Sequence, residues 1–268
     1  MIVAKHIGRL GNNMFQIAAA IGYAKKYGYK WAADYGKGLG EPYSCIHKVF
    51  NLPKSELQGR KYHEHKDNSF CRVHNLPLDI CHFDYHPIPD LGENVNLFGF
   101  FQSEKYFEGF HDEVRNAFPI RFEDSLSGYT SIHVRRGDYV KHANSFPPVT
   151  IEYVESAMAT IRTGKYLVFS DDLEWCKMAL IHLDNSQQRI DFFEESDELM
   201  SLEAMTSCEH HIIANSSFSW WGAWLGKNPD RMVISPSVKR GNWFGLESGV
   251  KKDASDLIPS SWIQIAFR

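Results

Sequence analysis

SIHVRRGDY, residues 131–139, decides the reading of the chain: a short apolar-alternating run at 130–135 passes directly into two arginines, a glycine and an aspartate. Strand-like runs recur at 166–170 (YLVFS), 189–193, 210–214 and 231–235, with helical segments between them. Strands that alternate with helices predict a parallel sheet covered on both faces, and such sheets bind ligands at the carboxyl ends of their strands. The residues just after each strand are therefore the ones to weigh for chemistry.

Upstream, residues 2–7 (IVAKHI) read as a buried strand and a Gly-rich turn follows at Gly8–Gly11. A helix is predicted from Asn13 to Tyr27, because Phe15, Ile17, Ala18, Ile21 and Ala24 repeat at helical spacing and Gly28 offers a C-cap. A second strand at Lys30–Ala33 completes a βαβ unit. Residues 34–95 carry six of the 13 histidines, several prolines and little periodicity, so they read as loops and short elements. A strand at Val95–Phe100 and a helix at Gln102–Phe118 follow, and PIRFEDSLSG (119–128) has the look of an interdomain linker. Two domains are expected, 1–120 and 121–268, the second with a C-terminal tail.

The bulk composition is that of an ordinary folded enzyme: 43% hydrophobic and 23% charged residues, with 14% aromatics. A net charge of −4 draws the molecule neither to nucleic acid nor to an anionic membrane, so any anion site must be local. The five cysteines are odd in number and form no CxxC pair, which argues against a zinc cage or disulfide framework and fits a cytoplasmic protein. The apolar run at the N-terminus is too short for a signal peptide, and no 18-residue apolar run could span a bilayer. With 13 histidines in the chain, the neighbours His63 and His65, and His82 and His86, are better read as chance clustering than as a metal site.

Four strand ends carry candidate chemistry. In IGRLGNNMFQ, Gly8 and Gly11 let backbone approach a ligand and the next helix offers free N–H groups; the alternative is a tight turn with Asn12 as N-cap. After the 130–135 strand come Arg135, Arg136 and Asp138, with His133 inside it. One guanidinium could clamp a diphosphate while the other pairs with a carboxylate such as Asp138, or the group is a surface ion-pair cluster. Asp171 and Asp172 could chelate Mg²⁺, bind ribose hydroxyls, accept the N–H donors of a guanine edge, or cap the helix that starts near Leu173. Asn215, Ser216 and Ser217 stand at a strand–helix junction able to hold a phosphate, whereas Trp220, Trp221 and Trp224 read as packing of that helix on the sheet.

Taken together, GRLGNNMFQ, FGFFQSEKYF, HVRRGDY, FSDD, ANSSFSWWGAWL and the closing IPSSWI resemble glycosyltransferase family 11, the α1,2-fucosyltransferases. The resemblance implies an α/β fold of two Rossmann-like domains facing a cleft, the GT-B-type glycosyltransferase architecture, with the donor held mainly by the second domain. It implies an inverting transfer of L-fucose from GDP-β-L-fucose to a hydroxyl of galactose or a related residue of a glycan, in α1,2 linkage. By the same resemblance Arg135 meets the donor's β-phosphate, with Asp138 beside it as a catalytic candidate. His133 and one of Asp171 or Asp172 hold guanine, Ser216 or Ser217 contacts phosphate, and Gly11 and Asn12 belong to the donor site. Family members open with Gly-Gly-Leu-Gly-Asn-Gln; here Arg9 and Asn13 replace the second Gly and the Gln, which adds Arg9 as a phosphate candidate. The expected partners are GDP-fucose and a glycan acceptor, with no metal or other cofactor, no nucleic acid and no transmembrane segment. The expected location is cytoplasmic, at or near the inner face of the membrane. Asp138, His142 and Asp34 are the candidates for a general base. Two rival readings are a transferase of the same architecture using another nucleotide-sugar donor and a catalytically silent relative that binds nucleotide sugar or glycan.

Overall fold

The computed structural model describes residues 1–34, 46–55, 63–66, 83–239, 241–247 and 254–267. The chain divides into two compact units. One comprises Met1–Pro119 with Gly249–Pro259, the other Ile120–Ser248 with Ser260–Arg268. The C-terminal tail, expected whole in the second domain, is divided, and Gly249–Pro259 belongs to the first unit. Asp256 draws that stretch in by accepting the Tyr85 N–H at 2.8 Å and pairing with Lys105. Leu257 is buried there.

The first unit is built on β1 (Ile2–Ala4), α1 (Leu10–Tyr27), β2 (Trp31–Ala33), α2 (Ile46–Val49), β3 (His63–Lys66), β4 (Val95–Phe98) and α3 (His111–Ala117). Its strands run parallel in the order β2-β1-β4-β3, with Ile2 opposite both Trp31 and Val95. α1 starts at Leu10 and not at Asn13, with Arg9 as its N-cap and no side-chain cap bond from it, so Asn12 lies inside the first turn and not at the N-cap. The polar look of Gly-Asn-Asn misleads because Asn13 and Gln16 turn inward. Gln16 Oε1 accepts the Ile7 N–H at 3.1 Å while Gln16 Nε2 donates to the Ile7 carbonyl at 3.0 Å, and Asn13 Nδ2 donates to the same carbonyl at 3.2 Å. A side-chain amide thus serves Ile7 as a neighbouring strand would. Gly8 at φ 77° makes the turn. The helix ends as expected on Gly28, left-handed at φ 76°.

The helix expected over 102–118 is broken. A 3-10 turn at Glu104–Phe107 and α3 are separated at Gly109, whose φ of 82° no helix accommodates. That turn lies against Gly22 of α1, where an added Cβ would meet the Tyr106 carbonyl oxygen at 2.1 Å and the Phe107 Cα at 2.8 Å. Backbone cannot yield as a side-chain tip does, so Gly22→Ala is expected to lower stability by about 1–3 kcal/mol, read as a lower midpoint in thermal or urea unfolding. An unchanged midpoint would mean that the close approach contributes nothing.

The second unit carries β5 (Thr130–Val134), α4 (Gly137–Lys141), α5 (Ile151–Ile161), β6 (Lys165–Ser170), α6 (Leu173–Leu180), β7 (Arg189–Phe192), α7 (Glu198–Ser207), β8 (His210–Ile212), α8 (Ser217–Trp224), β9 (Val233–Pro236) and β10 (Ile263–Ile265). All six strands are parallel, in the order β10-β9-β8-β5-β6-β7. β10 was not legible in the sequence, since its three residues are largely exposed at the sheet edge. Helix starts follow cap chemistry: Thr150 accepts from Tyr153 N, Asp172 from Trp175 N, Asp197 from Met200 N and Ser216 from Phe218 N. The core gathers β5, β6 and β8 under α5, through Ile132, Val134, Val168, Ile212, Tyr153 and Ala157. Trp220 and Trp221 are fully buried, and Trp262 packs on Trp220 at 5.3 Å between ring centroids, so these tryptophans are core. Among the described residues no helix is long and apolar enough to cross a membrane. Cys176 and Cys208 are free and buried, their thiols pushed up by burial to about 11 and about 12; Cys45, Cys71 and Cys81 lie outside the described residues.

Candidate active site

Numbered by their own order, the six strands of the second sheet run 6-5-4-1-2-3, the dinucleotide-binding arrangement. The chain leaves β5 toward β6 on one side and β8 toward β9 on the other. The crevice at the switch point therefore opens at the carboxyl ends of β5 and β8, where a parallel sheet receives its ligands. Arg135 and Arg136 follow β5, and Asn215 to Ser217 follow β8. Tyr139 of α4 joins the two ends by donating its hydroxyl to the Asn215 carbonyl at 3.0 Å.

Both arginines are held by carboxylates. Arg135 Nη1 pairs with Asp171 Oδ2 at 2.6 Å and its Nη2 with Asp138 Oδ1. Arg136 donates its backbone N–H to Asp171 Oδ1 at 2.8 Å and its Nε to Asp172 Oδ2 at 3.0 Å, and its guanidinium lies 3.8 Å from the centroid of the Trp175 ring. Asp172 Oδ1 caps α6 through the Trp175 N–H at 3.3 Å, so the cap reading of that residue holds. All four oxygens of the acidic pair thus have donors. The arrangement explains Gly137, where a Cβ would lie 2.4 Å from Asp171 Oδ2. A side chain at 137 would push this carboxylate off Arg135.

The remaining candidates are placed as follows. His133, inside β5, is buried against Phe218 at 5.9 Å between ring centroids, and its Nδ1 has no hydrogen-bond partner among the described residues. Burial lowers its pKa to about 4, so near neutral pH it offers hydrogen bonds without charge. Ser216 Oγ caps α8 by accepting the Phe218 N–H at 3.3 Å, and Ser217 opens that helix, half-buried. Asn215 is pinned by Nδ2 bonds to the Pro147 and Trp243 carbonyls at 3.0 and 2.9 Å, and its buried Oδ1 has no hydrogen-bond partner among the described residues. His133, Arg135, Asp138, Asp171 and Asp172 are thus brought together at the ends of β5 and β6, with Ser216 and Ser217 at the adjoining β8. Gly11 and Asn12 belong to the first unit, Gly11 buried in α1 and Asn12 accepting from Gln102 Nε2 at 2.7 Å. Arg9 is exposed.

Of the base candidates, Asp138 is committed to Arg135, His142 is an exposed residue at the end of α4, and Asp34 accepts His47 Nε2 through its backbone oxygen at 3.1 Å. Among the described residues no group of three or more His, Cys, Asp or Glu is arranged to hold a metal ion. His86 pairs with Asp84 at 3.1 Å, and His82 lies outside the described residues. Sequence reasoning missed Trp175 as the platform for Arg136, Tyr139 as the link to β8, and His6. His6 is 4% exposed, lies against the tilted ring of His47 at 5.1 Å between centroids, and has no hydrogen-bond partner at either ring nitrogen among the described residues. The spacing of Asp172 and Trp175 could have signalled the cap; nothing in the sequence signals the other two.

A Rossmann-type sheet with guanidinium groups at its switch point has the means to hold a nucleotide's diphosphate. The chain belongs to glycosyl transferase family 11, whose family model matches residues 81–253. It is a glycosyltransferase. It is 32% identical over 314 residues to the O-antigen biosynthesis glycosyltransferase WbnK of Escherichia coli, covering 96% of this chain and 98% of that one. It is 29% identical over 301 residues to an α-1,2-colitosyltransferase of Escherichia coli, covering 99% of each. Among solved structures it resembles NodZ α-1,6-fucosyltransferase at 13% identity and a TM-score of 0.48, covering 88% of this chain and 94% of that one.

Proposed function

We propose that the chain transfers L-fucose from GDP-β-L-fucose to a hydroxyl of galactose or a related acceptor residue, with inversion and in α1,2 linkage. The observation that carries this is the placement of Arg135 and Arg136 at the switch point of a family 11 chain. The acceptor oxygen attacks the anomeric carbon, the bond from that carbon to the diphosphate breaks, and GDP leaves with the electron pair. The acceptor's proton passes to a base or to solvent. The main demand is to stabilise charge growing on the leaving diphosphate, which Arg135 and the N-terminus of α8 supply without a metal. Of the acidic pair, Asp172 supports a guanine base, because a carboxylate has about four lone-pair positions and can accept both N–H groups of the guanine edge. His133 supplies a further neutral contact. The reading places the enzyme on the cytoplasmic side of the membrane, acting on a glycan before export.

A second donor has specific support in the α-1,2-colitosyltransferase relative, since colitose is the 3-deoxy counterpart of fucose. One experiment separates the readings. Purified protein is offered GDP-fucose or GDP-colitose with a panel of galactose-terminated glycans, with and without EDTA, followed by linkage analysis. The expected result is an α1,2-fucoside at a rate unchanged by chelation, and GDP bound in preference to UDP. Transfer from GDP-colitose alone would replace the donor, and activity lost in EDTA and restored by Mg²⁺ would recast Asp171 and Asp172 as ligands. Donor turnover with neither sugar would leave a silent relative.

A further inference from the structure

The two carboxylates on Arg135 differ in kind. Asp171 uses both oxygens, one on Arg135 and one on the Arg136 N–H, and its side chain is 27% exposed in the space Gly137 leaves open. Asp138 reaches Arg135 through Oδ1 from a short helix, and its side chain is 54% exposed. Around the switch point two guanidinium charges stand among three carboxylates, so the cluster as it stands repels the diphosphate that its arginines would serve. One carboxylate must give way. An exposed ion pair is weak, whereas a doubly anchored one resists release.

We propose that Asp138 is a placeholder: its carboxylate occupies, on Arg135 Nη2, the position of a donor phosphate oxygen, and the incoming diphosphate displaces it into solvent. Asp171 stays as a positioning residue that aims the guanidinium. A carboxylate and a phosphate oxygen are like acceptors for a guanidinium fork, so the exchange preserves the geometry while raising the charge bound. Asp138 then keeps Arg135 extended and paired between turnovers, and the two aspartates touching one arginine act on donor affinity with opposite signs.

The inference rests on the GDP-sugar reading, and the test keeps the two apart. Dissociation constants for GDP and for inorganic diphosphate are measured by calorimetry on the wild type, Asp138→Asn, Asp171→Asn, Arg135→Ala and the Asp138→Asn/Arg135→Ala double variant, all shown folded by circular dichroism. Asp138→Asn is expected to tighten both ligands by about threefold to tenfold, and Asp171→Asn to weaken both. Weakening toward diphosphate alone distinguishes aiming of Arg135 from reading of a base. In the Arg135→Ala background the gain from Asp138→Asn should vanish, since a mere change of net charge would persist there. Binding of GDP by the wild type with unchanged or weaker binding by Asp138→Asn, or a gain that survives loss of Arg135, overturns the placeholder alone. Folded proteins that all fail to bind GDP overturn the donor reading and the placeholder together.

Discussion

Arg135→Ala is expected to lower turnover about a hundredfold or more, with the melting temperature nearly unchanged. One preorganised charge contact to a developing oxyanion contributes about 3 kcal/mol to the transition state. Arg135 stands at the end of β5 with its fork held by Asp138 and Asp171, so its loss removes the contact and leaves the sheet intact. Lysine keeps the charge but cannot meet two acceptors in one plane, so Arg135→Lys should fall between wild type and alanine. Arg136 provides the contrast. Stacked on Trp175 at 3.8 Å and bonded to the cap residue Asp172, it ties β5 to α6, so Arg136→Ala should depress the melting temperature as well as the rate. Initial rates, GDP affinity and melting curves on the three variants decide the matter. A folded Arg135→Ala protein with near-normal turnover would remove the central support for this mechanism.

Stability should fall steeply as pH drops below about 6.5, through three buried imidazoles. Burial holds His6 and His211 at about 3 and His133 at about 4, against 6.5 in the unfolded chain. Over the interval between those values the unfolded chain binds protons that the folded chain refuses. The stabilisation is therefore complete above 6.5 and is lost as pH falls toward the folded values. Each group contributes up to about 1.4 kcal/mol per pH unit in that window. His6 lies in the first unit and the other two lie in the second, so both units should soften. Urea unfolding at pH 7.0, 6.0 and 5.0 measures the slope, and His6→Gln or His211→Gln should flatten it. A free energy of unfolding that does not change between pH 7 and 5 would contradict the burial of these rings.

The parallel alternation and the charged strand ends were legible because they are written in periodicity and adjacency: a buried run of β5 followed at once by Arg135 and Arg136, or of β6 followed by Asp171 and Asp172. The pairings within the site were not. Which oxygen meets which guanidinium depends on how far β5 and β6 extend against each other, and no spacing along the chain encodes that. The start of α1 was misplaced for a related reason. Asn13 and Gln16 are polar, yet both are fully buried and bond to backbone. The helix expected over 102–118 failed on Gly109, where helical spacing of apolar residues continues across a residue that turns the backbone left-handed.

The pair of hydrogen bonds between Gln16 and Ile7 has a consequence for recognition in the first unit. A loop closed by a side-chain amide loses its conformational freedom when the chain folds, not when a ligand arrives. Whatever meets the backbone from Ile7 to Leu10 finds a surface already set, and binding there carries little entropic penalty for ordering the loop.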